Sequence, residues 1–115
     1  MDKIFKELFK VKEVRGVVMI SDAGELRYQK ITDIGSAKPE SVDWLSMLNS
    51  LAGVQEAELV CEHLRLYIRK TEGGYLVVLT GPAASPAMVR LNCDLVLPAL
   101  KDNGGAKGLR RLFKR

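Results

Sequence analysis

The sequence predicts an α+β domain: a five-stranded antiparallel sheet with helices on both faces, in the order α-β-β-α-β-β-β-α. Three observations carry this. The run from Gly74 to Pro82, Gly-Tyr-Leu-Val-Val-Leu-Thr-Gly-Pro, is apolar on both faces of a strand and fenced by glycines, as a central strand covered on both sides must be. Four further short segments read as strands, and most are joined by tight turns rich in Gly, Asp and Ser. Three other segments repeat apolar residues at helical spacing, which supplies the covering layers.

Taken in order, Ile4, Phe5, Leu8 and Phe9 alternate with Lys3, Lys6, Glu7 and Lys10 as a short amphipathic helix. Val14 to Ile20 is a strand with two apolar faces, Val14/Val18/Ile20 and Val17/Met19. Ser21-Asp22-Ala23-Gly24 turns the chain, with Gly24 free to take positive φ, into a more polar, edge-like strand from Glu25 to Ile31. After a polar loop, Pro39 suits the first turn of a second helix running to Leu51, with Gly53 as its stop. That helix carries two apolar sets, Val42/Leu45/Leu48/Ala52 and Trp44/Met47/Leu51. One set covers a sheet, and the other asks for a second partner, either a deeper groove in the same chain or another subunit. Glu56 to Cys61 is a strand with Glu56, Glu58 and Glu62 on one face and Ala57, Leu59 and Cys61 on the other. The glutamates read as charges that keep an edge strand from promiscuous pairing, and Arg65 and Arg69 stand where they can pair with them across a hairpin turning at Glu62-His63. Leu64, Leu66 and Ile68 alternate with Arg65, Tyr67 and Arg69, which puts one face of that strand in the core. Thr71 to Gly74 then leads into the central strand. Ser85 is a candidate N-cap before Pro86, opening a third helix through Leu100 with the stripe Met88, Leu91, Leu95 and Ala99 facing inward. Pro98 lies inside that pattern and predicts a kink or loosening of the last turn.

At 115 residues the chain supports one core, and 47% hydrophobic with 28% charged residues is ordinary for a globular protein. No apolar run approaches the roughly 18 residues of a membrane span, and the charged N-terminus lacks a secretory apolar core, so the expected compartment is the cytoplasm. The net charge of +4 is local. The first hundred residues balance 12 cations against 13 anions, whereas from Lys101 onward six cations face only Asp102. Residues 1–100 thus form the domain and residues 101–115 a basic tail. Within the tail, Asn103 to Gly108 is a flexible glycine-rich spacer, and beyond it Leu109, Leu112 and Phe113 recur at helical spacing beside Arg110, Arg111, Lys114 and Arg115. The tail reads either as a disordered solubilising end or as a docking peptide for an acidic groove or an anionic lipid surface.

No motif for chemistry emerges. The chain has no phosphate-cradling Gly-x-x-x-x-Gly-Lys loop, no Gly-x-Gly-x-x-Gly and no His-Glu-x-x-His. Its one histidine, His63, falls in an expected turn, and Cys61 and Cys93 lack metal-ligand spacing and read as buried small residues. Neither an enzyme, a cofactor nor a metal is expected.

Three local patterns in this order resemble the Roadblock or dynein light chain family over roughly Met1 to Leu100. They are Val14-Arg15-Gly16-Val17-Val18-Met19-Ile20-Ser21-Asp22-Ala23-Gly24, Gly73-Gly74-Tyr75-Leu76-Val77-Val78-Leu79, and Met88-Val89-Arg90-Leu91. Departures are Asp22-Ala23-Gly24 for the family's usual Asp-Gly turn, and Met88 or Val89 where its last helix commonly has Gly. The resemblance, in particular to bacterial gliding-motility members, implies a profilin-like sandwich and a non-enzymatic homodimer that scaffolds signalling or motor complexes or regulates a small Ras-like GTPase. It further implies a dimer interface of Val42, Trp44, Leu45, Met47, Leu48 and Leu51 on the second helix with Glu56, Glu58 and Val60 on the third strand. Ser41, Asp43, Trp44 and Met47 become the GTPase contacts, while the tail, which the resemblance does not cover, would make contact through Leu109, Arg110, Arg111, Leu112, Phe113 and Lys114 if it is a docking peptide. Two other classes stay open: a ligand-sensing domain, which needs a cavity between sheet and helix against the tightly apolar Val17, Val78 and Leu95, and a nucleic-acid binder using the tail with Arg65, Tyr67 and Arg69.

Overall fold

The computed structural model describes residues 2–32, 43–50, 53–60 and 64–102, with the backbone alone for Asp2, Leu45, Leu48, Lys101 and Asp102. Its elements are α1 (Asp2–Phe9), β1 (Val14–Ser21), β2 (Leu26–Ile31), α2 (Trp44–Ser50), β3 (Glu56–Val60), β4 (Arg65–Lys70), β5 (Gly74–Thr80) and α3 (Pro86–Asp102). One antiparallel sheet has the order β2-β1-β5-β4-β3. The strand apolar on both faces, β5, is the middle one, and every residue in it is buried.

Strand alternation divides the interior into two cores. On one face Met19, Leu76, Val78 and Tyr67 pack under α1 and α3, which contribute Phe5, Leu8, Val89, Cys93, Val96 and Leu100. On the other, Val18, Ile20, Ile68, Tyr75, Val77 and Leu79 pack under Trp44 of α2. A bulge between Val14 and Gly16 in the β1–β5 ladder shifts the alternation by one residue. Val14 therefore joins Val17 and Met19 rather than Val18 and Ile20, because a one-residue slip sends every preceding side chain to the opposite face.

Two glycines have different reasons to be glycine. Gly24, at φ 84°, closes the β1–β2 turn, where its N–H donates to Ser21 O and the Ser21 hydroxyl accepts from the Ala23 and Glu25 amides. Gly74 opens β5 so close to β1 that a Cβ would stand 1.9 Å from the carbonyl oxygen of Ile20.

The helices differ from expectation in instructive ways. The second helix begins at Trp44 rather than Pro39, since the Asp43 carboxylate accepts from the Ser46 amide at 3.1 Å and from its hydroxyl at 2.9 Å and so caps it. Pro39 to Val42, Leu51 and Ala52 lie outside the described residues. Gly53, at φ 83°, follows as expected of a stop. The third helix starts where predicted, with the Ser85 hydroxyl accepting from the Met88 amide at 3.3 Å, and continues through Pro98 to Asp102. Its inward stripe is Val89, Cys93, Val96 and Leu100, while Met88, Leu91 and Leu95 are exposed and Ala99 is half-buried. Two overlapping apolar stripes run along this helix, and the one formed by Val89, Cys93, Val96 and Leu100 is the one that packs into the core with α1 and the sheet.

Candidate interaction surface

The sheet ends at β3, whose five residues pair with β4 on one side and with nothing on the other among the described residues. The Lys70 amide donates to Gln55 O at 2.8 Å, opposite the register Glu56↔Arg69 and Glu58↔Tyr67. By the alternation of antiparallel ladders, the amides of Glu56, Glu58 and Val60 then point away from β4, toward the open edge. Ala57 and Leu59 face the α2 core. Glu56, Glu58 and Val60 share the opposite face, where Val60 is 68% exposed. The two-faced reading of this strand, and the cross-strand pairing of Glu56 with Arg69, therefore match the structure.

Glu56 is more engaged than an edge charge. It accepts from the Tyr67 hydroxyl and from Arg90 Nε at 3.1 Å, and lies 3.8 Å from Arg69 Nη1. Arg69 in turn pairs with Asp94 at 2.6 Å and donates to the Tyr67 oxygen at 3.1 Å. Burial first, and then the bond to Glu56, push the Tyr67 phenol up to about 12. The network thus ties β3 and β4 to one side of α3. Sequence reasoning missed Arg90 and Asp94, although their spacing of four marks them as one side of a helix. Beside the network a recess of about 360 Å³ is lined by Glu56, Ala57, Glu58, Tyr67, Pro86, Ala87 and Arg90. It sits at the open edge of the sheet. Between α3 and the sheet's centre, Val17, Val78 and Cys93 are fully buried, and Leu95, expected to help close that space, faces outward instead.

Of the residues expected to meet a GTPase, Trp44 is 5% exposed and belongs to the core beneath α2, so its large ring covers the sheet instead of a partner. Met47 is half-buried against the same core. Asp43 is exposed, and its hydrogen bonds to the Ser46 amide and hydroxyl lower its carboxyl below the usual value. Ser46, Asn49 and Ser50 of α2 are exposed as well. Ser41, Val42, Leu51, the side chains of Leu45 and Leu48, Cys61, His63 and the tail contacts Leu109, Arg110, Arg111, Leu112, Phe113 and Lys114 lie outside the described residues. The base-stacking platform suggested by Tyr67 is not available, because the ring is only 7% exposed beneath α3 and Arg69 is held by Asp94. Cys93 is fully buried as expected, and burial pushes its thiol up to about 12. Among the described residues no three His, Cys, Asp or Glu side chains converge as a metal site, and no helix is long and apolar enough to cross a membrane.

No family model matches the sequence, and neither does any curated protein. The fold, however, is that of Roadblock domains. A Roadblock/LC7 domain from Streptomyces avermitilis superposes with a TM-score of 0.68 at 18% identity, over 89% of this chain and 95% of that one. The gliding protein MglB from Thermus thermophilus gives 0.67 at 20% identity, over 85% and 83%. An MglB structure described as having a tetrameric arrangement gives 0.67 at 20%, over 85% and 82%.

Proposed function

We propose that the protein is a non-enzymatic homodimeric adaptor that regulates or scaffolds a small Ras-like GTPase, starting from the Roadblock-like fold of the chain. The observation that carries the dimer is the open edge of β3. A short strand with outward amides at Glu56, Glu58 and Val60 is a template for its own symmetry mate, and antiparallel pairing about a two-fold axis extends one sheet across both subunits. Such pairing brings the α2 helices of the two subunits to the same side, with Asp43, Met47 and the exposed polar residues of α2 as the surface offered to the GTPase. Val42, Leu45, Leu48 and Leu51 are assigned to the helix–helix part of the dimer, and the partner supplies the nucleotide chemistry. The likeness to an MglB with a tetrameric arrangement supports assembly, and the resemblance to gliding-motility Roadblock proteins supports the GTPase. The expected compartment is the cytoplasm.

Multi-angle light scattering of the wild type and of Glu58→Pro tests the dimer. Proline at this position removes an outward amide and spares the β3–β4 ladder, as edge prolines do. A wild-type dimer and a folded Glu58→Pro monomer are expected, whereas a wild type monomeric at tens of micromolar ends the proposal. Affinity capture from the native lysate should return a Ras-like GTPase with the wild type.

The carboxylate-lined recess favours a second reading, a ligand-sensing domain, and its volume falls within the range of small-molecule sites. A thermal-shift screen decides it, with stabilisation by a ligand that Glu58→Gln abolishes as the supporting outcome.

A further inference from the structure

Helices α1 and α3 cover the same face of the sheet and touch each other, so their outward sides form one continuous surface. On α3 this surface displays Met88, Leu91 and Leu95, respectively 46%, 52% and 65% exposed, spread over about 10 Å of helix. On α1 it displays Lys3 and Lys6, with Lys10 and Lys12 just beyond the helix end, all exposed. In residues 1–12 these four lysines oppose only Asp2 and Glu7; Lys10 pairs with the exposed Glu7 at 3.0 Å, and on α3 the exposed Asp94 is occupied by Arg69. The chain that continues from the end of α3 carries Arg110, Arg111, Lys114 and Arg115 beside Leu109, Leu112 and Phe113.

From this juxtaposition we infer that the α1–α3 face is a docking surface for an anionic lipid bilayer. The occupant follows from charge and shape. An apolar helix stripe flanked by lysines matches the layered chemistry of a membrane surface, where leucine and methionine enter the acyl boundary and lysines remain among anionic headgroups. The recesses beside β3 are lined on α3 by Pro86, Ala87, Val89 and Arg90, and Met88, Leu91 and Leu95 line neither of them. The surface is also opposite to α2. A dimer formed through β3 presents two such faces on one side, and their affinities combine.

The test is flotation of the full chain with phosphatidylcholine vesicles, with and without phosphatidylserine, at low and high salt. Binding is expected only with phosphatidylserine and at low salt. Replacing Lys3, Lys6 and Lys10 by Gln should weaken it by about fivefold per lysine, and Leu91→Glu with Leu95→Glu should abolish it while leaving the circular dichroism spectrum unchanged. A chain lacking Gly108 to Arg115 should bind more weakly but keep its sensitivity to the Leu91 and Leu95 replacements. No binding at low salt overturns the inference, as does binding indifferent to both sets of helix variants. Sedimentation velocity supplies the remaining outcome: an oligomer that the Leu91 and Leu95 replacements dissociate, without vesicle binding, makes the face a contact between copies and also overturns it.

Discussion

At the scale of single residues, position in the ladder decides what each side chain can tolerate. Gly74 is fixed by the approach of β1, so Gly74→Ala must displace backbone, and its cost should reach or exceed the top of the about 1–3 kcal/mol typical of overpacking. Urea unfolding measures this directly. Tyr67 carries a pH signature. Its folded value of about 12 lies above the ordinary 10.0, so its stabilisation is complete below pH 10.0 and is lost as pH rises through about 12. Chemical denaturation across that window should show a decline that Tyr67→Phe reduces, at a cost near neutrality of about 0.5–1.5 kcal/mol for the lost hydrogen bond. Cys93, fully buried with its thiol held up to about 12, should resist iodoacetamide at mildly alkaline pH until the protein is unfolded. Peptide mass spectrometry at residue 93 reads the result.

At the scale of elements, α3 makes the sharpest forecast, because adjacent residues have opposite fates. Val96 is buried against the sheet and Leu95 is exposed. Val96→Asp should cost at least about 3 kcal/mol by burying an unpaired charge, while Leu95→Asp should stay within about 0.5 kcal/mol. Equal effects in thermal melts would show that the helix is rotated from the described orientation. The same logic moves Trp44 from surface to interior. Trp44→Ala should lose about 3–5 kcal/mol through the cavity it leaves over Ile68 and Val77, whether or not a partner is present. Loss of assembly with unchanged subunit stability would contradict that placement.

At the scale of the whole molecule, the two sheet faces and the two sheet edges have separate tasks. β1 shields one side of β5 and β4 the other, leaving β2 and β3 as edges among the described residues. The α2 face and β3 edge form the proposed assembly and GTPase side, and the α1–α3 face the inferred lipid side. Variants in one should leave the other intact: Glu58→Pro should alter the oligomer mass while a single subunit retains its salt-sensitive vesicle binding, weakened by loss of avidity.

What the sequence determined alone was whatever local chemistry dictates. The two-faced run from Gly74 to Thr80 announced a central strand, Ser85-Pro86 announced the start of α3, and Gly24 announced the first hairpin turn, since burial on both faces, capping and positive φ each demand particular residues. What only the tertiary structure decided was which of two comparable options a segment took. Val14 changed faces through a bulge, Asp43 capped an α2 that starts well beyond the position expected at Pro39, and Trp44 turned into the core. On α3 the sheet selected the compact Val89, Cys93 and Val96 stripe over the bulkier Met88, Leu91 and Leu95. Periodicity shows that a helix has apolar sides, but packing against α1 and the sheet, whose residues are distant in sequence, selects the one that is buried.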